Sequence, residues 1–362
     1  MRVLVTGTDG YIGAVLAPML MSRGHDVLGV DTGYYRQGWL FTDPGVVAVT
    51  PTSLIKDIRH ISSADIRGCD AIVHLAELSN DPLGQNNPET TFKINHEGSV
   101  RLAGLAKEHG VGRFVYTSSC SVYGASADDG YLDEQAPVNP QTAYAECKVR
   151  VERDVSRMAD DDFSPVFLRN ATAYGASPRM RFDIVLNNLS GLARTTGKIA
   201  MISDGTPWRP LVHVQDICHA ITAALEAPRV AIHNQIFNVG ENAQNYRIRE
   251  IAEIVSAVFP GCELTLGSSQ GDNRSYRVNF DKINAALPGF SCQWDAEGGA
   301  RQLHAVFDRI DLTADDFEAR PFTRLKQLEY LIKTKQIDDE FFWRPSSTGE
   351  QRTAPSPKRA GQ

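Results

Sequence analysis

The sequence has no apolar run near the roughly 20 residues that a membrane-spanning helix needs, so it predicts no membrane span. Positive charge is also scarce, because 37 Lys and Arg stand against 44 Asp and Glu, giving a formal net charge of -7. This balance argues against general binding to nucleic acid or to anionic membranes, so any basic site must be local. The first residues read as a strand rather than a leader, and we expect a cytoplasmic protein.

Cysteine is sparse as well, with six residues in 362, and their scattered positions lack the paired spacing of a metal site. We therefore expect reduced thiols and neither disulfides nor a bound metal. A content of 42% hydrophobic and 22% charged residues is enough for a full core, in one large domain or two ordinary ones. The six cysteines are Cys69, Cys120, Cys147, Cys218, Cys262 and Cys292.

Short apolar runs alternate with stretches of helical periodicity along the first half of the chain. Residues 2–6 predict a strand, a glycine turn follows, 11–23 predict a helix and 27–30 a second strand. This alternation predicts an α/β fold with a Rossmann-type, doubly wound parallel sheet covered on both faces. Further strands are expected at 71–75, 113–117, 166–169 and 236–239, with helices at 94–108, 143–158 and 217–225.

The pattern becomes less regular after Gly175, where proline and glycine interrupt shorter elements. We expect a smaller, discontinuous α/β substrate-binding lobe, because the helix and strand within 217–240 again resemble the first sheet. The predicted division is 1–175 with 217–240 for the dinucleotide-binding domain and 176–216 with 241–345 for the substrate-binding lobe. Residues 346–362, rich in Ser, Pro, Thr and charge, are predicted to be a disordered tail.

Three glycines follow the first strand as Gly7-x-x-Gly10-x-x-Gly13. Glycines at a strand-to-helix turn let the backbone approach a pyrophosphate at the helix N-terminus, although a tight turn alone has the same appearance. Asp31, directly after the second strand, can accept hydrogen bonds from a ribose and favours NAD over NADP. A nearby arginine, Arg36, could soften that preference, and Asp57 fits either an adenine contact or an ordinary turn.

Tyr144 and Lys148 lie four residues apart in a predicted helix and therefore share one face. A tyrosine acts as a base near neutral pH only if a cation stabilises its phenolate, and Lys148 can be that cation. Taken alone, the pair is more often part of an ordinary surface helix.

With these motifs the sequence resembles the extended short-chain dehydrogenase/reductases, in their nucleotide-sugar epimerase and dehydratase branch, over about residues 1–345. The resemblance rests on the glycine turn, Asp31 and the motifs Asp57-Ile58, His74-Leu75-Ala76, Asn95, Thr117-Ser118-Ser119-Cys120-Ser121-Val122-Tyr123-Gly124 and Tyr144-x-x-x-Lys148. It implies catalytic roles for Ser119, which bonds the reacting sugar oxygen, for Tyr144, which exchanges the proton, and for Lys148, which binds the nicotinamide ribose and lowers the tyrosine pKa. It also implies a homodimer through the helices at 94–108 and 143–158.

The same resemblance implies the binding residues. For NAD these are Gly7, Gly10, Tyr11, Ile12, Gly13, Asp31, Asp57, Ile58, Leu75, Ala76 and Asn95, with Tyr144 and Lys148. For a nucleotide-diphosphate sugar they are Asn170, Asn187, Asn188, Arg209 and Arg274, with Arg277 as a competitor of Arg274. Arg179 and Arg181 add positive charge near the entrance of the second lobe.

The residues after Ser119 bear on the reaction type. Relatives that perform 4,6-dehydration usually place an Asp-Glu pair there, whereas this chain has Cys120 and Ser121, so dehydration is disfavoured. Cys120 fits either a thiol acid/base or a small packing residue, and Ser118 and Ser121 fit either the hydrogen-bond network of Ser119 or loop capping.

The sequence thus predicts an NAD-dependent nucleotide-sugar epimerase. It would act by transient oxidation to a keto-sugar and return of hydride to the opposite face. A ketoreductase or dehydrogenase of a nucleotide-linked sugar would use the same three residues. A non-catalytic dinucleotide sensor is a third reading, against which the intact Tyr144 and Lys148 count.

Overall fold

The computed structural model describes residues 1–42, 51–79, 87–125, 130–268 and 274–345. The tail predicted at 346–362 lies outside these residues. No helix within them is long and apolar enough to cross a membrane.

Fourteen strands and thirteen α-helices follow one another in the described residues. The strands are β1 Arg2–Thr6, β2 Asp26–Asp31, β3 Thr52–Ile55, β4 Ala71–His74, β5 Arg113–Ser119, β6 Tyr131–Leu132, β7 Ser164–Asn170, β8 Thr172–Tyr174, β9 Lys198–Ala200, β10 Trp208–His213, β11 Gln235–Val239, β12 Asn245–Arg247, β13 Glu263–Thr265 and β14 Arg277–Val278. The helices are α1 Gly13–Ser22, α2 Ser63–Ile66, α3 Pro88–Thr91, α4 Ser99–Glu108, α5 Ala143–Ser156, α6 Val185–Thr196, α7 Val214–Glu226, α8 Arg229–Ile232, α9 Ile248–Val258, α10 Asp281–Ala286, α11 Ala296–Arg309, α12 Ala314–Glu318 and α13 Arg324–Lys333.

The central sheet has seven strands in the order β11-β7-β5-β4-β1-β2-β3. Every neighbouring pair is parallel. The strand order reverses between β1 and β4, which is the switch point of a doubly wound sheet. The predicted fold class is therefore confirmed.

Alternate residues of the central strands pack into two apolar clusters, one on each face of the sheet. Val3 and Val5 of β1 join a cluster that contains Leu16 and Leu20 of α1. Leu4, between them, joins the cluster on the other face, which contains residues of α4 and α5. This alternation follows from the two-residue period of a strand, and it explains why these strands are apolar throughout.

A third apolar cluster lies outside the central sheet, where α6, α9 and α11 pack together. Near it lie the small sheets β12-β10-β8 and β13-β9. The return of the chain to the central sheet is observed directly, since β11 pairs with β7 at its edge. The division into two lobes at the stated residues stays a prediction.

One predicted helix differs from the structure. The stretch expected as a helix over 94–108 begins as a π-helix, Phe92–Gly98, and continues as α4. Inside the π-helix the Asn95 side chain bonds Leu78 twice, through Leu78 N to Oδ1 at 2.9 Å and Nδ2 to Leu78 O at 3.1 Å. The Ser99 hydroxyl donates to Asn95 O at 2.6 Å, so the wide turn holds a side chain that tethers the loop after β4.

The last described segment packs against the beginning of the chain. Leu328 and Leu331 of α13, with Ile337 and Phe341, belong to the same cluster as Leu4 of β1. Beyond α13, the Trp343 indole donates to Thr32 O at 2.7 Å and the Tyr34 hydroxyl donates to Phe341 O. The C-terminal segment 324–345 is thereby fixed to the loop that follows β2.

Candidate active site

The carboxyl ends of the central strands open into a cavity of about 650 Å³. Gly7 follows β1, Asp31 ends β2, Leu75 follows β4 and Ser119 ends β5, so strands from both sides of the switch point contribute to it. Ligands of open parallel sheets bind at this position. The predicted site residues that line the cavity are Gly7, Gly10, Tyr11, Ile12, Gly13, Asp31, Asp57, Ile58, Leu75, Ala76, Ser119, Tyr144, Lys148, Asn170, Arg209 and Arg274.

The glycine turn requires glycine on steric grounds. Gly7 has φ of 79°. A Cβ on Gly13 would lie 2.1 Å from Gly7 O, and one on Gly7 would lie 3.0 Å from Ala76 N. The backbone thus folds tightly at the start of α1, where the helix N-terminus favours a diphosphate. These residues fit the predicted dinucleotide.

Asp31 is held by backbone donors at the end of β2. Its carboxylate accepts from Gly33 N at 2.7 Å and from Asp9 N at 3.0 Å. Burial, with the nearby charge of Asp9, raises the pKa of Asp31 to about 6. The Asp9 carboxylate accepts from Arg36 Nε at 2.6 Å, so Asp9 engages the arginine that the sequence suggested for a 2'-phosphate.

Asp57 is compatible with both alternatives that the sequence left open. It lines the cavity, and its carboxylate also caps the turn by accepting from Arg59 N at 2.8 Å. The same carboxylate pairs with the Arg59 guanidinium at 2.8 Å.

Lys148 and Tyr144 lie together in α5 and face the cavity. Lys148 Nζ is 5.3 Å from the centroid of the Tyr144 ring and donates to Thr117 O. The lysine is 3% exposed, so its ammonium is buried. This is the arrangement that a tyrosine base with a neighbouring cation requires.

The sequence did not predict the counter-ion of this lysine. Glu77 Oε2 lies 2.6 Å from Lys148 Nζ, and Tyr116 OH donates to Glu77 Oε1 at 2.6 Å. Burial raises the pKa of Glu77 and the adjacent Lys148 opposes that rise. The residue stands directly after the His74-Leu75-Ala76 motif, but a lone glutamate in a loop carries no signal of its own.

Ser118, Ser119 and Ser121, at the end of β5 and just after it, differ in their hydrogen bonds. Ser119 Oγ lines the cavity and accepts from Ser121 N at 3.1 Å. Ser121 Oγ is buried without a hydrogen-bond partner among the described residues. Ser118 also lines the cavity, and its hydroxyl donates to Glu152 Oε1 at 2.5 Å.

Cys120 lies outside the cavity lining. It is 1% exposed and its Sγ contacts Arg169 O at 3.1 Å. Burial raises the pKa of its thiol far above the ordinary value. The geometry therefore favours the packing role over the acid/base role.

The predicted substrate residues divide into two groups. Asn170, Arg209 and Arg274 line the cavity, together with Tyr276. Asn187 and Asn188 do not, because Asn187 accepts from Gly175 N at 2.9 Å and Asn188 Nδ2 donates to Phe182 O at 2.9 Å. Asn95, predicted for the cofactor, is likewise outside the lining and bonds Leu78.

Two further arginines, Arg181 and Arg324, line the cavity, and the sequence analysis assigned neither of them a specific role. Arg181 lines it and pairs in bidentate fashion with Asp183, at 2.9 and 3.1 Å. Arg324, the first residue of α13, lines it too and was not singled out in the sequence. Its distance along the chain from every motif explains the omission. Arg179 lies outside the lining and donates to Tyr35 O at 2.9 Å.

Comparison with known families agrees with this geometry. The family model described as the NAD dependent epimerase/dehydratase family matches residues 3–240. The chain belongs to this family. The fold class, the enzyme class and NAD as the cofactor are thereby confirmed.

The chain is similar in sequence to a UDP-glucose 4-epimerase of Mycolicibacterium smegmatis. It is 30% identical over 261 residues, which is 67% of this chain and 78% of that protein. A UDP-glucuronic acid decarboxylase 2 of Arabidopsis thaliana is 28% identical over 339 residues, 90% of this chain and 70% of that protein. The solved structure of MoeE5 in complex with UDP-glucuronic acid and NAD, 26% identical, superimposes with a TM-score of 0.72 over 86% of this chain and 100% of that one.

Proposed function

We propose that this protein is an NAD-dependent nucleotide-sugar epimerase. The observation that carries the proposal is that one cavity is lined by the glycine turn and Asp31, by Ser119, Tyr144 and Lys148, and by Arg209 and Arg274. Groups for a dinucleotide, a proton transfer and a diphosphate thus open onto the same space.

In the proposed reaction Tyr144 takes the proton of a sugar hydroxyl while Ser119 bonds the same oxygen. Lys148 stabilises the phenolate from its buried position beside the ring. Bound NAD would supply the acceptor and the donor of hydride. Tyr144 returns its proton when the keto-sugar has presented its other face and has been reduced.

The buried Cys120 supports epimerisation over dehydration. Elimination of water needs an acid and a base beside the sugar, and a thiol outside the cavity with a raised pKa serves neither role. Ser121 Oγ and Asn170 Oδ1 are buried without partners among the described residues, so both are available to hydrogen-bond a sugar.

We propose a UDP-linked hexose or hexuronic acid as the substrate class. The named relatives act on UDP-glucose and UDP-glucuronic acid, and the solved neighbour binds the latter. Arg209 and Arg274 would bind its diphosphate, because guanidinium groups match phosphate oxygens in geometry and charge.

The proposal is tested by incubating the purified protein with UDP-hexoses and UDP-hexuronic acids that carry deuterium at the candidate carbon. We expect the epimer to form with deuterium retained at that carbon, without net NADH formation and without CO₂ release. Stoichiometric oxidation or reduction would instead indicate a dehydrogenase or ketoreductase, and CO₂ would indicate a decarboxylase. Binding without turnover would indicate a sensor.

A Tyr144→Phe variant identifies the base. We expect a loss of activity of about 10²–10⁴-fold with NAD binding retained, because the ring stays and only the proton carrier is removed. Unchanged activity would remove Tyr144 from the mechanism.

We also propose a homodimer that forms through the segment 92–108 and α5. These elements pack side by side in one chain, where His96 Nε2 lies 2.8 Å from Asp154 Oδ2 and the Arg150 guanidinium lies 4.7 Å from the Phe92 ring. Pairing of two copies would give a four-helix interface. Light scattering should give twice the chain mass, and a purely monomeric protein would contradict the proposal.

A further inference from the structure

Arg324 is a buried cation that forms no salt bridge with the described residues. It is 4% exposed, and its guanidinium carbon lies 3.8 Å above the centroid of the Tyr35 ring. Among the described residues the guanidinium stacks on this ring but makes neither a hydrogen bond nor an ion pair. A buried charge in this condition is costly unless a ligand supplies the counter-charge.

The carboxylates near Arg324 are engaged by other groups. Asp183 holds Arg181 in bidentate fashion, and its Oδ2 receives the backbone N–H of Arg324 at 3.4 Å. Asp31 accepts from two backbone amides. Burial, reinforced by the charge of Arg181 and opposed by the charges of Asp183 and Asp31, lowers the pKa of Arg324 to about 10.

The side chain is held at the cavity by its helix. Gln327, one turn further along α13, donates through Nε2 to Tyr34 O at 2.7 Å, and Leu328 and Leu331 are anchored in the core. Thr323, Arg324 and Leu325 then line the same cavity as Gly7, Gly10 and Gly13. The C-terminal helix therefore presents a fixed, unpaired guanidinium to the space predicted for the dinucleotide.

From this placement we propose that Arg324 binds the diphosphate of the bound dinucleotide. A planar guanidinium offers several N–H donors to phosphate oxygens, and a site shielded from water strengthens such bonds. The diphosphate would thus be bound by the glycine turn near the start of the chain and by one arginine near its end. The inference rests on NAD as the cofactor and deepens the proposed function at that site.

The test uses the full chain freed of nucleotide and compares Arg324→Met with Arg320→Met. Arg320 is the matched control, because its guanidinium lies 3.5 Å over the Tyr330 ring and bonds Gln37, outside the cavity lining. Calorimetry measures the affinities for NAD, ADP, adenosine, NADP and UDP, and thermal unfolding measures the stability of the nucleotide-free protein.

We expect Arg324→Met to weaken NAD and ADP binding by about tenfold to a hundredfold, as for a lost charge-assisted hydrogen bond. Adenosine, which has no phosphate, and UDP should bind as before. The nucleotide-free variant should melt at the same or a higher temperature than the wild type, because a buried unpaired charge has been removed. Arg320→Met should change none of the affinities.

Several results would overturn the proposal. Unchanged NAD affinity would do so. A loss of affinity confined to UDP would assign Arg324 to the substrate. A loss of affinity confined to NADP would assign it to a 2'-phosphate. A lower melting temperature with NAD binding intact would show a structural role. If Arg324→Met does not fold, Arg324→Lys retains the charge but not the planar group, and NAD and ADP affinities equal to wild type would also refute the proposal. A protein that binds NAD through Arg324 but epimerises no sugar would refute the proposed function alone.

Discussion

Lys148 contacts a second charged residue that its motif does not mention. Glu77 pairs with it at 2.6 Å, and Tyr116 fixes the carboxylate from the neighbouring strand. Burial and the charge of Lys148 lower the pKa of the nearby His74 to about 3. The positive charge available to the Tyr144 phenolate is therefore partly compensated by Glu77.

Replacing Glu77 by Gln should move the lower limb of the activity–pH profile to lower pH by about one unit, because loss of the carboxylate charge favours a phenolate beside Lys148. The profile is measured at saturating sugar and NAD. Tyr116→Phe removes the hydrogen bond to Glu77 without a change of charge and should leave the profile in place. A Glu77→Gln profile that coincides with wild type would show that the pair has no electrostatic influence on the base.

Asp31 gives the nucleotide-free protein a distinct pH dependence. Its pKa is raised from the ordinary value of 3.8 to about 6, so below both values it is neutral in the folded and unfolded chains. As pH rises from about 4 to about 6 the unfolded chain ionises first, and the folded state loses stability.

An Asp31→Asn variant lacks this titration. Its stability relative to wild type should therefore increase by about 3 kcal/mol between roughly pH 4 and pH 6 and stay constant above, while NAD binding weakens. Urea unfolding at a series of pH values measures the difference. The exposed Asp26 of the same strand provides the control, since Asp26→Asn should show no such rise. A flat difference for Asp31→Asn would contradict the assignment.

At the scale of elements, strands β5 and β7 are joined to α5 by a buried ion pair. Arg169 of β7 lies 2.7 Å from Glu152 of α5, and both side chains are at most 6% exposed. Ser118 of β5 donates to the same carboxylate. The three elements that present Ser119, Asn170, Tyr144 and Lys148 are thus tied together beneath the cavity.

Arg169→Met should destabilise the protein by about 3–5 kcal/mol, because Glu152 is left buried without its partner. The double variant Arg169→Met, Glu152→Leu removes both charges and should recover most of that loss. Denaturant unfolding of the four proteins of the cycle measures the coupling. A double variant as unstable as the single one would show that packing, rather than the unpaired charge, accounts for the cost.

Patterns that repeat or cluster in the sequence predicted most of the elements. The period-two and helical patterns located β1, β2, β4, β5, β7 and β11, and the glycine turn with Asp31 lines the cavity at the end of the sheet. What the sequence missed are single residues that meet from distant elements, such as Glu77 with Lys148 and Arg324 with Tyr35. Asn187 and Asn188 bond backbone groups and lie outside the cavity lining, and a matching motif does not show in advance whether an amide faces a cavity or a backbone group.

At the scale of the whole molecule, the C-terminal segment 324–345 completes the wall beside the dinucleotide site. Trp343 bonds Thr32, its ring lies 5.6 Å from that of Tyr34, and both Thr32 and Tyr34 line the cavity. The Phe342 ring stacks on the His60 ring, with centroids 4.7 Å apart, and the Arg59 guanidinium carbon lies 3.8 Å from the centroid of the Phe342 ring. We therefore expect changes in the C-terminal segment 324–345 to affect both the stability of the protein and its binding of NAD.

Trp343→Ala should lower the free energy of unfolding by about 2–4 kcal/mol and weaken NAD binding, because the loop after β2 loses its support. Unfolding with and without NAD, together with calorimetry, measures both effects. Tyr330→Ala, at a ring that is 38% exposed, is the control and should change NAD affinity little. An unaltered affinity in Trp343→Ala would separate the segment from the cofactor site.

The hydrogen bond from Tyr34 to Phe341 spans 307 residues of sequence. A ribosome makes the glycine turn and Asp31 before it makes the segment that carries Arg324 and Trp343. The wall of the cavity is therefore completed only after that segment has been synthesised. During translation the unfinished protein would have to fold its central sheet without help from the cofactor.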